Sequence, residues 1–165
     1  MSDRDCAPPD GTPIPFPTRP GAAAVNHVVD VTLDLEHDPI CPGKLLWKFQ
    51  LGTQQSRLTG LDYEITNYLK VQRNGVTQFN LHLEGTNFRF YDPGIRLLSS
   101  IPAEFRGNYF RASMISDTLV TFLAEYIDSN EVFHHHCLVY AKDITKPSLT
   151  SDPIDPDILN PGDHP

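Results

Sequence analysis

Three consecutive histidines and a cysteine, His134-His135-His136-Cys137, are the residues of this chain best suited to chemistry. If they lie on a β-strand, His134 and His136 project to one face about 7 Å apart, so both imidazoles can bind one metal ion. We therefore take His134 and His136 as the candidate metal ligands; solvated histidines on a surface strand are the alternative. Candidates for a third or fourth ligand, if the strand order brings them near, are His27, His37, His82 or an aspartate.

A metal-dependent, cupin-like enzyme would need a glutamate a few residues after the His-x-His pair. The last glutamate of the chain is Glu131, which precedes the pair, so that motif is absent. Such an enzyme stays as the last alternative, and zinc-triggered association through the two histidines is a further one.

No other pattern indicates catalysis. The chain has neither a Gly-x-Ser-x-Gly nucleophile elbow nor a glycine-rich phosphate loop. The paired carboxylates Asp155 and Asp157 fall in a proline-rich stretch where we expect nothing to bury them and raise their pKa values. We predict a protein that is not an enzyme, with no catalytic residues and no cofactor.

Aromatic residues offer a different kind of site, since an aromatic face can stack on the apolar face of a sugar ring. A lectin-like, carbohydrate-binding module is therefore an alternative function. Packing in the core is the competing role, above all for Trp47 and Tyr63. The aromatic candidates are Trp47, Tyr63, Tyr91 and Tyr109.

Charge and length exclude several classes of protein. The formal net charge of −8 removes the attraction to phosphate on which non-specific nucleic-acid binding depends. Basic side chains are concentrated in residues 44–111, between two acidic ends. No apolar run approaches the roughly 20 residues that span a bilayer. With 165 residues, the chain is long enough for one core. We expect neither a nucleic-acid partner nor a membrane.

The first residues and the cysteines predict a cytoplasmic protein. The start Met1-Ser2-Asp3-Arg4-Asp5 lacks the basic and apolar regions of a secretion signal. Three cysteines are an odd number, so we expect no disulfide framework. Cys137 falls in a strand pattern and is predicted to be a small buried side chain.

The elements that must position these residues are strands, because apolar and polar residues alternate with a period of two. The clearest case runs from Val29 to Glu36. Asn74-Gly75 is typical of a type I′ turn and predicts a hairpin. The stretch 116–128 fits either a helix or a strand, and its β-branched and aromatic residues favour a strand.

Seven or eight such strands predict an all-β fold, an antiparallel two-sheet β-sandwich of the immunoglobulin-like or jelly-roll-like kind. Eleven of the fifteen prolines fall in residues 1–20 and 146–165, and proline disfavours helices and interior strands. The predicted organisation is a proline-rich arm over 1–24, the sandwich over 25–145, and an acidic proline-rich tail over 146–165.

Five short motifs follow one another along the chain: Gly43-Lys44-Leu45-Leu46-Trp47, Tyr63-Glu64-Ile65-Thr66, Ile101-Pro102-Ala103-Glu104-Phe105 with Tyr109-Phe110, Leu138-Val139-Tyr140-Ala141-Lys142-Asp143 and Asp155-Pro156-Asp157-Ile158. In their residues and in their order, they resemble motifs of the AidA/PixA family of bacterial inclusion-body proteins. The sequence departs from the family pattern in two places: Ile154 stands where a tryptophan usually precedes the final Asp-Pro, and the proline-rich start lacks the apolar first strand.

The resemblance implies a cytoplasmic β-sandwich that accumulates or assembles, with no established enzymatic activity. Independently, strand edges and extended arms give such a domain a route to oligomers. Our first functional hypothesis is therefore a non-enzymatic protein that self-associates, as a homo-oligomer, or binds a protein or carbohydrate partner.

Overall fold

The computed structural model describes residues 11–19, 24–51, 64–66, 68–83, 86–146 and 151–162. Strands account for most of the regular structure in these residues, and the only helix among them is a single turn. The strands are β1 (Pro13–Ile14), β2 (His27–His37), β3 (Leu45–Leu51), β4 (Glu64–Thr66), β5 (Tyr68–Lys70), β6 (Val76–His82), β7 (Phe88–Leu98), β8 (Tyr109–Ser116), β9 (Leu119–Glu125), β10 (Phe133–Asp143) and β11 (Asp157–Asn160), and the helix is α1 (Ala103–Arg106).

These strands form two sheets, one with the order β1-β7-β10-β11-β5 and one with the order β4-β3-β2-β6-β9-β8. One hydrophobic cluster contains buried side chains from both sheets, among them Phe79 and Phe122 of the second and Ile95 and Val139 of the first. The prediction of an all-β fold with two sheets around one core is thus confirmed.

The prediction that both sheets are antiparallel is wrong. β2 runs parallel to β6, and β11 runs parallel to β5, whereas the other pairs are antiparallel. The physical reason is that several consecutive strands join different sheets, so their neighbours come from distant parts of the chain.

The period-two pattern predicted for β2 is confirmed. Val31 and Leu33 are wholly buried, and Thr32 and Asp34 between them are exposed. The preference for a strand in 116–128 is also confirmed, since β9 occupies Leu119–Glu125 and pairs with both β6 and β8.

The turn at Asn74-Gly75 does not join a hairpin. Both residues have the positive φ angles that the sequence predicts, 62° and 119°. The strands on either side, however, lie in different sheets: β5 pairs with β11, while β6 pairs with β2 and β9. The turn therefore carries the chain from one sheet to the other.

Residues 11–19 of the proline-rich N-terminal arm are extended but packed on the same chain. Pro13 and Ile14 pair with Leu98 and Leu97 on the edge of β7. Phe16 then reaches the core, where its ring lies 5.4 Å from that of Phe122. This segment closes one side of the space between the two sheets.

The predicted C-terminal tail is wrong for residues 151–162. β11 lies between β10 and β5 in the first sheet, and Ile158 and Asn160 are wholly buried. The prolines at 153, 156 and 161 flank β11 without interrupting it, so every residue of the strand keeps its backbone N–H.

The cysteines correct one expectation and confirm another. Cys41, which is buried in the turn between β2 and β3, is disulfide-bonded. An odd number of cysteines still allows one bond, so the count of three did not justify the expectation of no disulfide framework. Cys137 is free and wholly buried, as predicted.

Candidate functional site

The histidine stretch occupies the first half of β10, with alternate side chains on opposite sides of the sheet. His134 and His136 lie on the outer face, and the His134 side chain is 60% exposed. His135 points inward and is buried, as are Cys137 and Val139 further along the strand. The prediction that His134 and His136 share a face is confirmed.

Hydrogen bonds from Nδ1 to neighbouring oxygen atoms hold both outer histidine rings in a fixed orientation. His134 Nδ1 lies 2.6 Å from Oδ2 of Asp157, and His136 Nδ1 lies 3.2 Å from the backbone oxygen of Asp155. A carboxylate or carbonyl oxygen accepts a hydrogen bond, so Nδ1 carries the proton in each ring. In the neutral form of each ring, Nε2 then keeps its lone pair, and this is the form in which histidine binds a metal.

Candidate third ligands lie elsewhere in the fold. His27 Nε2 is bonded to the backbone oxygen of Arg73, His37 to Asp143 and His82 to Asp30. In the described part of the chain, no group of three or more histidine, cysteine, aspartate or glutamate residues is arranged to hold a metal ion. The structure therefore brings together His134, His136 and the supporting Asp157, but it does not complete a site.

Asp155 and Asp157 are better packed than the sequence indicated, because they belong to the segment that forms β11. Burial raises the pKa of the Asp155 carboxyl group. Oδ1 of Asp157 is buried with no hydrogen-bond partner, whereas Oδ2 accepts from His134. Asp157 thus has one oxygen committed to orienting a histidine.

On the inner side of β10, His135 forms a buried pair with Tyr109. Nδ1 of His135 lies 2.6 Å from the Tyr109 hydroxyl, and the rings of Phe105 and Phe133 pack against the imidazole. Burial lowers the pKa of His135 to about 4 and raises the pKa of Tyr109. The imidazole is therefore neutral at pH 7, and this pair anchors the strand that carries the two outer histidines.

Asn160 is a buried polar residue for which the sequence held no signal. Its Oδ1 accepts a hydrogen bond from the backbone N–H of Ile127, and its Nδ2 donates to the backbone oxygen of Glu125. These bonds tie the end of β11 to the chain that leaves β9, and they hold the strand that carries Asp157.

The predicted aromatic platform does not assemble from the described residues. Tyr109 is in the core, and Trp47 packs against the core from β3. Tyr91 belongs to the other sheet, where its ring meets that of Tyr140 edge to face. Tyr63 lies outside the described residues. The interpretation of Trp47 as a packing residue is thus confirmed.

The outer face around the histidines carries further polar and aromatic side chains. Tyr68 of β5 is paired with Asp157, and Lys70 is paired with Leu159. Tyr68 and Lys70 are both exposed. His134, His136, Asp157, Tyr68 and Lys70 together form what we call the histidine face.

Comparison of the chain with family models, with curated proteins and with solved structures finds no match. Among the described residues, no helix is both long enough and apolar enough to cross a membrane.

The burial of Cys137 gives a direct check on the position of β10. Its side chain is wholly buried, and burial raises the pKa of the thiol. Because alkylation requires an accessible thiolate, we expect iodoacetamide at pH 8 to leave Cys137 unmodified in the folded protein and to modify it fully in denaturant. Mass spectrometry of the peptide that contains Cys137 measures both; rapid native labelling would contradict this placement of β10.

Proposed function

We propose that this chain is a non-enzymatic protein that self-associates through the histidine face, with His134 and His136 acting as half of a zinc site that a second copy completes. The observation that carries the proposal is the fixed orientation of both imidazoles. Each Nδ1 is hydrogen-bonded to an oxygen, so each Nε2 is presented as a ligand.

A second copy supplies what one chain lacks. Zinc in proteins prefers four ligands in a tetrahedron, and imidazole nitrogen is one of its usual donors. Two histidines from each of two copies related by a two-fold axis provide four such ligands. Two-fold dimers are the commonest oligomers, and their interfaces use the same patch twice.

Charge also favours a cation between the copies. Each chain has a formal net charge of −8, so two copies repel each other. A zinc ion at the contact offsets part of this repulsion.

The proposed architecture is a β-sandwich with mixed sheets, which resembles immunoglobulin-like or jelly-roll-like sandwiches in its layers. The resemblance to the AidA/PixA family supports a protein that assembles.

Native mass spectrometry and light scattering with added zinc chloride test this function. We expect monomers in EDTA and dimers with one zinc ion per two chains when zinc is present. The His134→Ala, His136→Ala double variant should stay monomeric. His82→Ala is the matched control, because His82 lies on the other sheet and should leave dimerisation intact.

A third variant tests the role of Asp157. Asp157→Asn keeps an oxygen that accepts from His134 but removes the charge, and such changes next to a metal ligand weaken metal binding by about 10-fold or more. The proposal is overturned if zinc leaves the wild-type mass unchanged, or if the double variant dimerises as the wild type does.

A further inference from the structure

A cavity with a volume of about 280 Å³ opens between the two sheets beside β5, on the side opposite the N-terminal segment. It is separate from the histidine strand, which contributes no residue to its lining. Its apolar lining comes from β2, β3 and β6 of one sheet and from β5 of the other: Val29, Leu51, Phe79 and Leu69.

Among the residues that the structure describes, the core is incomplete at this point. Leu69 and Phe79 are wholly buried, but Val29 and Leu51 are only half-buried although they lie on the inward side of β2 and β3. Val31, two residues along β2, is fully covered. The cavity thus presents apolar surface that a bound molecule can remove from water.

Tyr68, Lys70 and Gln72 supply the polar part of the lining. Gln72 Nε2 donates to the backbone oxygen of Lys70, which holds the amide next to the lysine. Among the described residues, no carboxylate forms an ion pair with the Lys70 ammonium group. A positive charge at the edge of an apolar cavity is complementary to a molecule with an apolar body and an anionic head.

We propose that this cavity binds a small amphipathic carboxylate, with its apolar part between the sheets and its carboxylate at Lys70. The volume lies near the lower end of the range for ligand sites, so the ligand is small. For a molecule of roughly ten non-hydrogen atoms, we expect a dissociation constant of about 0.1–1 mM.

Octanoate and octan-1-ol are suitable probes, because they share an apolar chain and differ in charge. The protein is prepared with isotope-labelled methyl groups and titrated with each probe. The NMR shifts of these methyl groups report both the affinity of the probe and the position at which it binds. With octanoate, we expect saturable shifts of the methyl groups of Val29, Leu51 and Leu69. Leu46, on the outer side of β3, should not respond.

Two lysine variants test whether Lys70 recognises the negative charge of the probe rather than its hydrocarbon chain. Lys70→Met should weaken octanoate binding about threefold to fivefold, as expected for a partly solvated ion pair, and leave octan-1-ol binding unchanged. Lys48→Met is the matched control, because Lys48 is exposed on β3 and does not line the cavity.

A third variant fills the cavity: Val29→Phe should reduce the binding of both probes. The proposal is wrong if octanoate fails to shift the cavity methyl groups, or if Lys70→Met and Lys48→Met weaken its binding equally. Because Tyr68 and Lys70 also belong to the histidine face, these titrations are made in EDTA, where no zinc-dependent dimer forms. Loss of zinc-dependent dimerisation would then leave this result unaffected.

Discussion

Replacing Ile158 by alanine is expected to lower the free energy of unfolding by about 3 kcal/mol. Ile158 is wholly buried in β11, in the cluster that unites the two sheets. Removing three of its carbon atoms forfeits the transfer free energy of that apolar surface and leaves a cavity that the surrounding strands fill only in part.

Leu159→Ala is the matched control for this substitution. Leu159 is the next residue of the same strand, and its side chain is half-buried on the outer face. We expect it to cost about 1 kcal/mol or less. Urea denaturation, monitored by the fluorescence of Trp47, measures the stability of both variants. The slope of the unfolding free energy against urea concentration should equal that of the wild type.

The comparison separates two accounts of the C-terminal segment. If residues 157–160 were a tail, both variants would unfold at the same urea concentration as the wild type. If they are an interior strand, the variants differ by about 2 kcal/mol in favour of Leu159→Ala. Equal and small effects would therefore contradict the position of β11.

Local patterns predicted the faces of strands but not their neighbours. The alternation along β2 identified Val31 and Leu33 as core residues because burial of one face depends only on the strand itself. Asn74-Gly75 specified a backbone conformation. It could not specify that β5 and β6 would join different sheets, since that depends on contacts with β2, β9 and β11.

The same distinction between local pattern and strand pairing applies to the candidate site. The period of two was sufficient to place His134 and His136 together on one face. The partner of His134 depends on the register between β10 and β11, and residue Asp157 is 23 positions away in the sequence. The high proline content around β11 made the sequence look like a tail instead of a strand. Proline lacks a backbone N–H but keeps its backbone oxygen, and that of Pro156 accepts a hydrogen bond from the backbone N–H of Cys137.

The buried amide of Asn160 should be as sensitive to substitution as the core. We expect Asn160→Ala to lower the free energy of unfolding by about 2–3 kcal/mol. The substitution leaves the buried backbone N–H of Ile127 and the part-buried backbone oxygen of Glu125 without their partner. An unpaired buried polar group loses its bonds to water and gains nothing in exchange.

Asn80→Ala provides the control, because it removes the same amide from a different setting. Asn80 is half-buried on the outer face of β6, where its Nδ2 donates to Asp30, and water can replace that bond. We expect a cost within about 0.5 kcal/mol. Thermal and urea unfolding of both variants, at equal protein concentration in EDTA, exclude any contribution from zinc-dependent association.

Asn160→Asp tests which half of the amide matters. The carboxylate can accept from Ile127 but cannot donate to Glu125, and it places a charge in a buried position. Burial should raise the folded-state pKa of this aspartate above its unfolded value, so its protonated form is the better tolerated one and the variant should regain stability as the pH falls from 7 towards 4. A cost that is independent of pH, or a near-neutral Asn160→Ala variant, would show that β11 is held by its apolar side chains alone.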